Sequence, residues 1–130
     1  MTFQRTFSGA AWEKRVGYCR AVRAGNQVFV SGTAPVAEGG GAYAPGDGYR
    51  QALRCLEILE QALRSLGAEL SDVVRTRMFV TDISRWPEFG RAHEEAFGAH
   101  PPATSMVEVR ALIDPAMLIE IEADAVCESE

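Results

Sequence analysis

Within the predicted strand Leu118 to Cys127, apolar and acidic residues alternate without a break from Ile119 to Ala125. Ile119, Ile121, Ala123 and Ala125 fall on one face of a strand, and Glu120, Glu122 and Asp124 on the other, because successive strand side chains point in opposite directions. Val73 to Val80 behaves in the same way, with Val74, Thr76, Met78 and Val80 set against Arg75, Arg77 and Phe79. Thr104 to Leu112 starts with Ser105, Val107 and Val109 opposite Thr104, Met106, Glu108 and Arg110. Earlier in the chain, Tyr18 to Arg23 and Gln27 to Ser31 flank Ala24-Gly25-Asn26, a turn signal that predicts a hairpin.

Two segments carry helical spacing instead. Leu53, Leu56, Ile58, Leu59, Leu63 and Leu66 predict a helix over Tyr49 to Leu66, with Asp47 as N-cap and Gly67 as the stop. Trp86 to Gly98 predicts a second, shorter helix, with Ser84 as N-cap and Pro87 in its first turn. Between hairpin and first helix, Val36 to Gly48 is Gly-rich without a phosphate-binding spacing and reads as a surface loop. The expected order is ββαβαββ, ending in an antiparallel pair. The simplest packing is an α+β fold, a mixed sheet with both helices on one face.

That leaves the second sheet face with Glu120, Glu122, Arg75, Arg77, Phe79 and Met106. Either it is solvated and its charges pair loosely across strands, or other subunits cover it and the charges line a polar interior.

Composition narrows the function classes. The 130 residues are one domain's worth, 47% hydrophobic and 24% charged, which is globular composition. The net charge is −5 and the arginines are dispersed among acids, so no basic stripe for nucleic acid is expected. No apolar run approaches the ~18 residues of a membrane span, and the N-terminus lacks a secretory core; the expected location is cytoplasmic. Cys19, Cys55 and Cys127 have no metal-site spacing, and His93 and His100 sit seven apart, so no metal site is expected. His93 reads as a lone histidine on a helix surface.

An ordered set of short motifs resembles the Rid (YjgF-like) family. They are Gly17-Tyr18, Val30-Ser31-Gly32, Phe79-Val80-Thr81-Asp82, Pro102-Ala103-Thr104-Ser105-Met106-Val107-Glu108-Val109 and Ile119-Glu120-Ile121-Glu122-Ala123. The resemblance implies a chorismate-mutase-like fold, a homotrimer with a barrel-like centre, and pockets between subunits. It implies cofactor-independent hydrolysis of reactive imines and enamines to a carbonyl compound and ammonia. On the matching positions, Glu120 is the residue that positions water. Tyr18, Ser31, Gly32, Trp86, Thr104 and Met106 contribute to a pocket for an imine or carbonyl ligand.

The chain departs from the pattern at Thr104, where the family usually has an arginine that clamps the substrate carboxylate. A threonine hydroxyl donates one neutral hydrogen bond. Arg77 or Arg91 could take over the charge, Arg75 less readily. Alternatively the substrate lacks a carboxylate, or the scaffold is a non-catalytic small-molecule binding or regulatory protein. Ribonuclease activity, attached to some relatives, is disfavoured by the acidic balance.

Overall fold

The computed structural model describes residues 2–128. Its strands and helices in chain order are β1 (Phe3–Thr6), α1 (Ala11–Val16), β2 (Ala21–Ala24), β3 (Gln27–Thr33), α2 (Gly48–Ser65), β4 (Val73–Val80), α3 (Trp86–Phe97), β5 (Ala103–Glu108) and β6 (Ile119–Val126). The six strands form one mixed sheet in the order β1-β2-β3-β6-β4-β5. All neighbours are antiparallel except β4 and β5.

The expected α+β class and mixed sheet are present, and the helix and strand positions from Gln27 onward agree closely. Asp47 caps α2 through its side chain, accepting from Arg50 N–H at 2.9 Å. The β2–β3 hairpin turns through Gly25 and Asn26, and Gly25 takes the left-handed φ of 64° such a tight turn needs. No helix of the described residues is long and apolar enough to cross a membrane.

Four expectations about the elements and their pairing need correcting. The chain opens with β1 and α1, which pattern did not reveal: β1 is four residues long and mostly exposed, and α1 is a turn and a half. Tyr18 lies on the connection after α1 and not in a strand, because β2 starts only at Ala21. Ser84 does not cap α3: it lies in a 3₁₀ turn capped by Asp82, which precedes Trp86. Finally, β5 and β6 do not pair. β6 inserts between β3 and β4, and β5 lies at the edge, parallel to β4.

The core lies between the sheet and α2 and α3. Val28, Val30, Met78, Val80, Ile119, Ile121, Ala123 and Ala125 meet Leu56, Leu59 and Leu63 of α2 and Phe89 of α3. The alternation in β6 maps onto this directly, with Ile119, Ile121, Ala123 and Ala125 buried and Glu120, Glu122 and Asp124 on the open face. In β4 a register shift between Val73 and Arg75 buries Val73 and leaves Val74 exposed, reversing the expected role of Val74.

Candidate active site

Two devices fix the strand that carries Glu120. Gln51, wholly buried in α2, donates from Nε2 to Ala116 C=O at 2.9 Å and accepts from Leu118 N–H at 2.8 Å through Oε1. Both halves of a buried amide are thus satisfied, and the approach to β6 is pinned to the helix. On the other side, β3 pairs with β6 through a register shift between Val30 and Thr33. The buried Thr33 hydroxyl donates to Ser31 C=O at 2.8 Å across that irregularity. Bulges re-aim side chains, and here the bulge turns Gly32 toward Glu120. A Cβ on Gly32 would overlap Glu120 Oε1, so glycine is what leaves the carboxylate its space.

Glu120 sits opposite Phe79 in the sheet, half-buried. Burial pushes its carboxyl above the ordinary value of 4.5; the nearby Arg20 opposes the shift and Glu122 adds to it. A carboxylate made more basic in this way suits proton acceptance from water. Glu120 makes no ion pair with Arg75 or Arg77. Arg77 reaches Glu122 at 3.2 Å and Asp124 at 3.5 Å, and Arg75 lies opposite Asp124.

Gly32 lies against Glu120, and two more of the residues expected from sequence, with one that was missed, connect to it. Ser31 donates from its hydroxyl to Cys19 C=O at 2.8 Å. Arg20 donates from Nη2 to Gly32 C=O at 2.6 Å, with its guanidinium 5.8 Å from the centre of the Tyr18 ring. So Tyr18, Ser31 and Gly32 are linked through Cys19 and Arg20 at the end of β3 that faces Glu120. Arg20 was missed, although alternation from Tyr18 through Arg20 was a usable signal.

The remaining candidates lie elsewhere on the chain. Thr104 and Met106 stand beside Thr76 and Met78 in the parallel β4–β5 register. Thr76 and Met78 face the helices, so Thr104 and Met106 do as well. This overturns the placement of Met106 on the charged face. The alternation within β5 was legible, but which face it joins depends on a parallel register that sequence does not display. Trp86 opens α3 and is 59% exposed. Arg91 stacks on the Tyr49 ring at 4.2 Å and lies 3.5 Å from Glu95. Arg77 and Arg91 each lie near a carboxylate of the same chain.

Thr104 belongs to a small polar chain. The buried Thr76 hydroxyl lies 2.6 Å from the Thr104 hydroxyl and 2.8 Å from His93 Nε2. His93 is therefore not a free surface histidine: it is half-buried, tilted against Phe97 at 4.6 Å, and burial lowers its pKa below 6.5. Neutral imidazole and two hydroxyls satisfy one another here without any charge.

The comparisons with known proteins follow the same lines. Residues 9–127 match the family described as Endoribonuclease L-PSP. The chain is 34% identical to 3-aminoacrylate deaminase RutC of Acinetobacter baylyi, over 80% of this chain and 82% of that one. It is also 34% identical to 2-iminobutanoate/2-iminopropanoate deaminase of Escherichia coli, over 84% of this chain and 86% of that one. Among solved structures it resembles Rv2704 of Mycobacterium tuberculosis, a member of the YjgF/YER057c/UK114 family. That match has a TM-score of 0.87 and 49% identity, and covers 96% of this chain and 99% of the other.

Proposed function

The chain belongs to the YjgF-type family described as Endoribonuclease L-PSP, and from that membership we propose that it is a cofactor-independent imine or enamine hydrolase. The observation that carries the reading is Glu120, half-buried, more basic than an ordinary carboxylate and set against a glycine that keeps its Oε1 clear. In the reaction, water adds to the C=N carbon of the protonated imine, Glu120 takes the water's proton, and the tetrahedral carbinolamine collapses to C=O with loss of ammonia. Two named relatives act as deaminases, on 3-aminoacrylate and on 2-iminobutanoate or 2-iminopropanoate, which supports this class of substrate. The family description mentions a ribonuclease, but a net charge of −5 and the acids of the open sheet face oppose a polyanion.

The working unit in this proposal is a homotrimer. Within one protomer Thr104 lies on the helix side of the sheet and Glu120 on the open side, so both can contact one ligand only across a boundary between subunits. Subunit contact also gives the open face, with Phe29 at 40% and Val107 at 45% exposure, something to pack against. Sedimentation equilibrium is expected to report a trimer of the 14.1 kDa chain; a monomer at micromolar concentration contradicts the assembly.

Thr104→Arg tests the cross-subunit site. It is expected to lower KM for a carboxylate-bearing imine about tenfold with little change in kcat, since a charge-assisted contact adds binding in ground and transition states alike. An unchanged KM would place Thr104 outside the site.

A further inference from the structure

We propose that Arg20 is the anion anchor of this site, holding the carboxylate of a 2-imino acid whose bulky apolar side chain lies in the adjoining cavity. The inference rests on the hydrolase reading and specifies its substrate class.

Arg20 is set apart by a buried side-chain donor that has no partner among the described residues. A guanidinium carries five N–H donors. Arg54, Arg64, Arg77, Arg85 and Arg91 each lie against a carboxylate. Arg20, like Arg5, Arg15, Arg23, Arg50, Arg75 and Arg110, forms no such pair within the described residues, and its only side-chain hydrogen bond there goes to Gly32 C=O. Its Nε is buried and has no partner among the described residues. Buried donors are nearly always satisfied in folded proteins, so an orphan of this kind points to an absent partner. Charge makes the partner an anion, and Nη1, which forms no hydrogen bond among the described residues, is the donor left for it.

Arg20 is fixed by backbone bonds on both sides, from its N–H to Thr6 C=O at 2.8 Å and from Ser31 N–H to its C=O at 3.0 Å. It stands near enough to Glu120 to offset part of the effect of burial on that carboxyl. A substrate carboxylate held there would otherwise meet the charge of Glu120, and Arg20 compensates both. Arg20 also lines a cavity of about 1040 Å³. Trp12, Val36, Ile58, Ile113 and Met117 contribute apolar surface to its walls. Pockets of ~300–1,000 Å³ accommodate ligands of drug size. The space therefore exceeds the needs of an imine with two or three carbons and suits an aromatic or long aliphatic side chain. On this account Arg20 supplies the acid-binding charge that Thr104 lacks.

Binding of the carbonyl products separates this claim from catalysis. Phenylpyruvate and its carboxamide would be titrated by calorimetry into the wild type, Arg20→Gln and Arg20→Lys, with the ¹⁵N resonance of the Arg20 Nε–H followed in the wild type. Gln keeps a donor for Gly32 C=O, and melting curves confirm folding. Arg20→Gln is expected to weaken phenylpyruvate by about 10–100-fold while the carboxamide changes little. Arg20→Lys should restore only part of the loss, and the Nε–H should shift on binding the acid alone. Equal affinity of the wild type for acid and amide, no binding of the acid, or an Arg20→Gln variant that binds it normally overturns the proposal. A protein that binds phenylpyruvate through Arg20 yet hydrolyses no imine refutes the hydrolase reading and leaves the anchor intact.

Discussion

Glu120→Gln is expected to lower kcat for imine hydrolysis by about 10²–10⁴-fold, the usual worth of a positioned general base, while leaving the protein as stable as before or slightly more so. The stability half follows from the direction of the pKa shift. Burial raises the folded-state value above the ordinary 4.5. Between the unfolded and folded values the native chain therefore binds more protons than the unfolded one, and stability falls as pH rises through that window. At neutral pH the folded protein carries the cost of a half-buried carboxylate, and a neutral amide of the same shape removes it. The activity of the wild type should show an acid limb above the ordinary carboxylate range, and this limb should vanish in the variant. Parallel melting curves and pH–rate profiles check both halves. A Glu120→Gln protein that melts markedly lower would mean the carboxylate is a structural partner and not a base held ready at some expense to the fold.

Gly32→Ala is the second large effect, and it acts through geometry alone. Gly32 does not occupy a left-handed backbone conformation, so alanine meets no strain there. The added Cβ collides with Glu120 Oε1, the far end of a flexible side chain, so the carboxylate moves and the backbone stays. Stability should change by less than about 1 kcal/mol, because the reduced entropy of the unfolded chain offsets the crowding. Activity should fall about 10²-fold, as expected when a reacting group is displaced by an ångström. Thermal melts beside kcat/KM measurements separate the two. An unchanged kcat/KM would show that the Gly32–Glu120 contact has no part in the reaction.

Much of this arrangement was legible in the sequence, for identifiable reasons. β6 has strict period-two alternation from Ile119 to Ala125, and its four apolar positions in that stretch proved to be buried. α2 had both helical spacing and a side-chain cap at Asp47. The Glu120 environment was approachable because Gly32 and Glu120 both fall in motifs shared with the family. What stayed hidden were properties of pairing between segments. Nothing local in Thr104–Glu108 shows that it pairs with β4 in parallel, so the side occupied by Thr104 and Met106 came out only from the Thr76–Thr104 register. The insertion of β6 between β3 and β4 is likewise a long-range choice. β1 and α1 were too short and too exposed to leave a period. Arg20 looked like one polar residue in a strand; its importance depends on the Gly32 carbonyl, Glu120 and the cavity meeting around it.

The account rests most heavily on imine hydrolysis itself. A set of imines, small and bulky, with and without a carboxylate, can be generated in place by an amino-acid or amine oxidase, or by a lyase for 2-aminoacrylate. Their disappearance can then be followed spectroscopically with and without the wild-type protein. The account predicts catalytic acceleration for at least one class, proportional to protein concentration, and strongest for imines with a carboxylate and a large apolar side chain. Decay at the uncatalysed rate across the whole set would contradict it.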